Sequence, residues 1–336
     1  MPGTTTLILT VNPDAGRSSA TTFRADALYE FVVASDGGTR EDIAFRITFT
    51  EPDDTGNQQM RVLRADGAAA QHGTEGTLLG EGRTGVVFPV GAGGLAWAGM
   101  AADPFTADGV ALATFLQGLA AGQYDRGVFM SSPSNIFAGR DVTAVALQVP
   151  DADLGGTRIA VWARISLFGH APQLQVSRIG QAMLRPLFFS PPDAESEILN
   201  AGAPASDRDA HGKRVLSIAS AAVRLAGLAD PDAYAEHVLT AFLPDLVTYQ
   251  PGQPLSSRRA AATDAHLMTT PSTSPWPFWP GRRSGTPPSH ARLTRSSLTG
   301  RRPARRSCRP WPTSSASANT DGNSRAPAAE RPRRAS

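Results

Sequence analysis

The chain has 336 residues, 41% of them hydrophobic and 7% aromatic, with a formal net charge of +2 at pH 7. That length suits two ordinary domains, or one large one with extensions, and there is enough apolar material for a core. The single cysteine, Cys308, excludes an internal disulfide framework and any cysteine-built metal cage.

No apolar run approaches the ~20 residues of a membrane-spanning helix. Leu7-Ile8-Leu9 is too short for a signal-peptide core and has no basic leader. As written, the product is expected in the cytoplasm. Lys213 is the sole lysine among 32 basic residues. With the heavy use of Ala, Gly and Pro, this points to a GC-rich coding sequence, which accounts for the arginine bias as well as any phosphate partner does.

In chain order, Thr4–Val11 reads as a strand ending at Asn12-Pro13. The stretch Ala27–Thr50 then organises the fold. ALYEFVVAS and EDIAFRITFT are two β-like runs around an Asp36-Gly37-Gly38 turn. Ile43, Phe45, Ile47 and Phe49 alternate with Ala44, Arg46, Thr48 and Thr50, the period of a strand with one dry and one wet face. Tyr29, Phe31 and Val33 offer a matching dry face. Further strands are expected at Gln59–Arg64, Thr77–Leu79, Val86–Val90 and Leu95–Met100.

Asp103-Pro104-Phe105 breaks the β pattern. A helix follows over about 106–121, with Leu112, Phe115, Leu116 and Leu119 on one face and Gly122 at its C-terminal cap. Val142–Val149, Thr157–Leu167 and Gln173–Ile179 return to strands. After Pro191-Pro192 the period becomes helical: Val215, Ile218, Ala219, Ala222 and Leu225 form one stripe. Asp230-Pro231 then signals a second start and Pro244 a stop. A run of strands followed by a run of helices implies an α+β fold: an antiparallel, sandwich-like sheet with a small C-terminal helical lobe and a disordered tail. The expected division is a β-rich domain over 1–190 containing the inserted helix, a helical lobe over 191–254 packing on it, and a tail over 255–336.

In the tail no periodicity survives. Fifteen arginines there face only Asp264, Asp321 and Glu330, with Trp276, Phe278, Trp279 and Trp311 interleaved. Taken literally, such a segment binds nucleic acid non-specifically, by charge and stacking. The codons favour another reading. Met268 must be ATG, so starting from its third base gives GAC, aspartate, and the following new codons permit an acid-started apolar helix. Ala262–Ala265 permit Asn-Gly-Arg in the same frame. A frameshift near Pro254–Arg259 is therefore expected, making the tail out-of-frame translation.

Motifs that carry chemistry are sparse. Gly80-Glu81-Gly82-Arg83-Thr84-Gly85 matches the dinucleotide-binding glycine pattern, but that mechanism needs a following helix, and a strand pattern follows here instead. A glycine-rich hairpin turn is the expectation. The six histidines lack paired metal-ligand spacing. His211, near Asp207 and Asp209, and His237, after Glu236, are expected at solvated positions. Asp36-Gly37-Gly38 with Glu41 and Asp42 lacks the alternating acidic ligands of a calcium loop. No metal ligand, cofactor or catalytic constellation is assigned, and whether the protein is an enzyme stays open. Asp103, Asn135 and Arg178, each at a strand or helix end, are expected to brace the fold. A ligand pocket built from them is the minority alternative.

At these stretches the chain resembles the bacterial family called domain of unknown function 4331. The resemblance runs from about Thr4 to Pro254. It rests on Tyr29 through Glu41-Asp42-Ile43, on Trp97-Ala98-Gly99 with Ala102-Asp103-Pro104-Phe105, on Asn135–Gly139, and on Val176-Ser177-Arg178-Ile179-Gly180. The family's Ser-His-His opening, with the Asp-rich stretch and Tyr-x-Phe strand behind it, has no counterpart here. The resemblance therefore implies a missing N-terminal strand and an exposed apolar sheet edge. The family's Asn-Gly-Arg and acid-started helix are what the shifted frame restores. The family name confers no activity. The leading expectation is a β-rich binding or structural module, as a degraded copy. The alternatives are a metal-dependent enzyme of unknown reaction and nucleic-acid binding through the basic tail.

Overall fold

The computed structural model describes residues 3–130, 133–168, 173–189 and 194–252. The arginine-rich tail, the proposed frameshift point, Pro191-Pro192, His170, His266 and His290 lie outside the described residues. The fold is α+β, built on two antiparallel sheets.

The strands are β1 (Thr4–Val11), β2 (Ala27–Ala34), β3 (Ile43–Phe49), β4 (Gln59–Asp66), β5 (Thr77–Arg83), β6 (Phe88–Val90), β7 (Gly94–Ala102), β8 (Asp141–Pro150), β9 (Ile159–Leu167), β10 (Leu174–Ile179) and β11 (Val247–Tyr249). The helices are α1 (Ala68–Gln71), α2 (Gly109–Ala120), α3 (Leu184–Phe188), α4 (Ala194–Ala201), α5 (Asp207–Leu225) and α6 (Pro231–Phe242). One sheet has the order β1-β8-β7-β6. The other runs β10-β9-β2-β3-β4-β5, with β11 also pairing β9.

The two sheets face each other across a core to which both contribute. Leu7, Leu9, Ala96, Ala98, Val145, Leu147 and Val149 come from the first, and Tyr29, Phe31, Val33, Phe45, Ile47, Met60 and Val62 from the second. Side-chain alternation along each strand puts these residues on one face. Phe23, Tyr29 and Phe49 close one end as an aromatic cluster, with Phe23 stacked on Phe49 at 4.1 Å.

The expectation of a wet outer face on β3 is overturned at Ala44 and Arg46, although Thr48 is half-buried and Thr50, just past the strand, is exposed. Every residue of β2 is buried, and on β3 Ala44 and Arg46 are buried too. The segment holding α1 lies over this face, packing Ala70 against Ala44 and Ala65. Leu246, just before β11, joins Val32, Ala34, Ala160 and Trp162. Alternation correctly assigned which residues share a face; it carries no information on whether a later segment covers that face.

The glycines of the dinucleotide-like pattern do not make the expected hairpin turn: Gly80 and Gly82 lie within β5, and Gly85 lies in the turn after it, where the chain passes from one sheet to the other. A Cβ on Gly80 would stand 2.6 Å from the Pro89 carbonyl oxygen, and one on Gly82 only 2.0 Å from the Phe88 ring. These glycines let β6 cross closely over β5.

The helical layer has its own core. Leu112 and Phe115 of α2, Leu184, Leu187 and Phe188 of α3, and Leu199 of α4 join Val215, Ala219 and Ala222 of α5 and Val238, Leu239 and Phe242 of α6. The helix inserted among the strands thus packs into this helical core. It begins at Gly109 because the Asp108 carboxylate accepts the Ala111 N–H at 3.0 Å. Helix α6 begins at Pro231 as expected. The expected cap is not made, since Asp230 sits at φ 53° and makes no side-chain cap hydrogen bond.

Candidate functional site

Among the described residues two buried ion clusters hold most of the buried charge. The first lies on the covered face of the larger sheet. Register places Glu30 of β2 opposite Arg46 of β3 on one side and Arg164 of β9 on the other. The Arg46 Nε donates to Glu30 Oε1 at 2.9 Å, and the Arg164 Nε donates to Glu30 Oε2 at 2.5 Å. Arg164 also forks onto Glu41, at 3.0 and 2.8 Å. Arg46 donates further to the carbonyls of Ala69, Ala70, His72 and Glu75, and Arg164 to that of Ala70. Two arginines thus face two glutamates, and the α1 segment is tied down by its main-chain carbonyls. Burial pushes the Glu41 carboxyl above its usual range, against the opposing pull of Arg164.

The second cluster lies between β10 and the helical layer. Arg178 of β10 donates to both oxygens of Asp207, at 2.6 and 3.1 Å, and to the Leu199 carbonyl at 3.1 Å. Asp207 opens α5 and also accepts the Asp245 N–H at 2.8 Å. The Asp245 Oδ1 in turn accepts the N–H groups of Gly180 and Gln181, at 3.0 and 2.6 Å. Residue 180 has to be glycine, because a Cβ there would stand 2.4 Å from the Asp245 carbonyl oxygen. Arg185 donates to the Arg178 carbonyl at 2.6 Å and to Asn200 Oδ1. Burial raises the Asp245 carboxyl above 3.8, although Arg178 pulls the other way.

His211 lies beside this cluster. Contrary to the solvated position expected for it, it is 3% exposed and edge-on to Phe189, with ring centroids 5.1 Å apart. Its Nδ1 makes no hydrogen bond among the described residues, and Glu195 Oε2 is 3.9 Å away. Burial lowers its pKa. His237 is exposed, as expected.

Of the three sequence candidates, the fold brings Asp103 and Asn135 into one pair of loops and places Arg178 elsewhere, in the second cluster. Asp103 Oδ1 accepts the Phe105 N–H at 2.9 Å. Asn135 Oδ1 accepts the N–H groups of Ala107 and Phe137, at 3.3 and 3.1 Å. Phe105 and Phe137 meet edge to face at 5.0 Å. These side chains brace the loops that flank α2. Sequence reasoning missed Glu30, Arg46, Arg164, Asp207 and Asp245. A signal existed for the first two, as opposite charges on facing strands of one hairpin; nothing local announced Arg164 or Asp245.

Among the described residues no group of three or more His, Cys, Asp or Glu side chains is disposed to hold a metal ion, and no helix is long and apolar enough to cross a membrane. Comparison with protein-family models, with curated proteins and with solved structures found no match for the chain.

Proposed function

We propose that this chain is a β-rich binding or structural module of the family it resembles, domain of unknown function 4331, in a degraded copy whose reading frame shifts near Pro254–Arg259. The observation that carries the reading is the use made of buried charge. Glu30, Arg46, Arg164, Arg178, Asp207 and Asp245 bind one another and the main chain, holding segments far apart in sequence. A catalytic group has to present an atom to a substrate. In these clusters the carboxylate oxygens and guanidinium N–H groups are directed at the fold itself, and the Arg178 Nε, which has no hydrogen-bond partner among the described residues, is buried within it. The stretches that carry the resemblance fall on this framework: Glu41 and Arg178 on the clusters, Asp103 and Asn135 on the α2 loops.

The test is the melting temperature of the full chain with and without chelator and across a panel of divalent cations. An unchanged transition is expected. A drop of several degrees on chelation favours the metal-dependent enzyme and overturns this reading. Peptide mapping of the tail, with sequencing of its coding DNA, tests the frameshift. Tail peptides from an uninterrupted natural reading frame would remove it.

A further inference from the structure

Among the described residues each of the two sheets has two edges, and three of these four edges carry a device that blocks pairing with another chain. Strand β6 is three residues long with Pro89 at its centre. Strand β5 carries Glu81 and Arg83 and turns directly into the corner with β6. Strand β10 has a bulge between Gln175 and Ser177, and Gln175 donates to the carbonyls of Asn200 and Gly202, tying the strand to the end of α4. Such features are how sheets avoid edge-to-edge association.

Among the described residues, the central part of β1, Thr6–Thr10, carries none of them. The strand's eight residues, Thr-Thr-Thr-Leu-Ile-Leu-Thr-Val, include no charge and no proline. It pairs without a break in register with β8 alone among the described strands. Leu7 and Leu9 point into the core, while Ile8 on the opposite face is 63% exposed.

The sequence of this edge is also symmetric. Thr6-Leu7-Ile8-Leu9-Thr10 reads the same in both directions. Antiparallel pairing of two such strands about a two-fold axis at Ile8 sets Ile8 against Ile8, Leu7 against Leu9 and Thr6 against Thr10. Every pair is then a favourable cross-strand match, with no charge to bury. The register inside one chain extends the pattern, since Ile8 lies opposite Ala146 and Ala146 opposite Trp97. The outer face would carry a continuous apolar row: Trp97, Ala146 and Ile8, then the same three residues of the second copy in reverse. On the inner face Leu7 and Leu9 would join the two cores.

We propose that β1 is the self-association surface of this protein: two copies join their four-stranded sheets edge to edge through antiparallel β1–β1 pairing centred on Ile8. This is an isologous contact, closed at two copies because each copy has one such edge. Main-chain hydrogen bonds supply affinity, and the palindromic side chains fix register.

The test is light scattering during gel filtration of the full chain at ~0.15 M salt, where exposed charges more than about 8 Å apart are screened while directly facing charges still interact. A mass twice that of the chain is expected at micromolar concentration. Ile8→Lys and Ile8→Glu each place like charges face to face across the axis and should weaken the dimer at least about tenfold, equal to ~1.4 kcal/mol. Mixed together they should restore it, because only a register centred on residue 8 sets the two opposite charges together. A monomeric wild type overturns the proposal, and so does a dimer indifferent to Ile8→Lys, or a mixture as weak as either variant alone. Should either variant melt early, Thr6→Lys mixed with Thr10→Glu tests the same register, since these positions also face each other.

Discussion

The two buried ion clusters differ in what assembles them. On the sheet, Arg46, Glu30 and Arg164 stand side by side because three neighbouring strands are in register, so regular hydrogen bonding between strands already positions them. At the helical layer, Arg178, Asp207 and Asp245 come from a strand end, a helix start and the turn after α6, and no repeating pattern places them. The first cluster is a consequence of sheet geometry. The second itself fixes the geometry, since three irregular segments converge on one guanidinium.

The largest loss of stability is expected from Glu30→Gln. Glu30 is fully buried and serves two arginines, so its neutral replacement leaves uncompensated positive charge inside the protein. Breaking a buried pair from one side costs about 3–5 kcal/mol, and the shared carboxylate belongs at the upper end. Urea unfolding should show about 5 kcal/mol lost. A loss under about 1 kcal/mol would mean that water reaches the cluster.

Arg178→Met should cost less, about 3 kcal/mol, because Asp207 keeps the Asp245 N–H as a donor. Its distinguishing signature is local. Hydrogen exchange should rise at Gly180, Gln181 and Asp245, whose N–H bonds belong to the same network, with the strand ladder around Glu30 unchanged. Equal exchange increases in both regions would erase the distinction between the clusters.

The pH dependence of the second cluster can be read at Asp245. Burial holds the Asp245 carboxyl above its ordinary 3.8 in the folded protein. A raised folded pKa gives stability that is complete below the unfolded value and is lost as pH climbs through the folded one. Asp245→Asn removes this dependence while keeping an oxygen for the Gly180 and Gln181 N–H groups. Relative to the wild type, the variant should therefore gain stability as pH rises from about 3.8 towards neutrality. Chemical denaturation across that range reads the sign, and a widening deficit for the variant would contradict it.

The regular parts of the fold were legible because they repeat. The β2–β3 hairpin, the β9 alternation and the α5 stripe each announce period and facing within one segment. Burial of the polar face was not legible, because the α1 segment that covers it is too short to carry a helical period. Arg46 therefore reads as a solvated residue, although it is buried to 1% exposure. The same limit applies to His211, whose apolar neighbour Phe189 lies outside its helix. At Asp230 the residue type fits a cap while the backbone takes a left-handed conformation that forgoes it. Arg178 was singled out as a polar group at a strand end, but its partners Asp207 and Asp245 lie 29 and 67 residues away.

The smallest expected effect concerns the third polar group, in the α2 loops. Asn135 is exposed, and its carboxamide oxygen accepts two main-chain N–H groups, so Asn135→Ala releases those N–H groups to water and strands no buried charge. A neutral hydrogen-bonded brace of this kind contributes about 0.5–1.5 kcal/mol. The variant should lose no more than that in urea unfolding, while amide exchange quickens at Ala107 and Phe137. If Asn135→Ala instead costs as much as Arg178→Met, then holding these loops against α2 matters to the fold as much as the buried charges do. The contrast between register-built and loop-built clusters would then give way to one between the helical layer as a whole and the sheets.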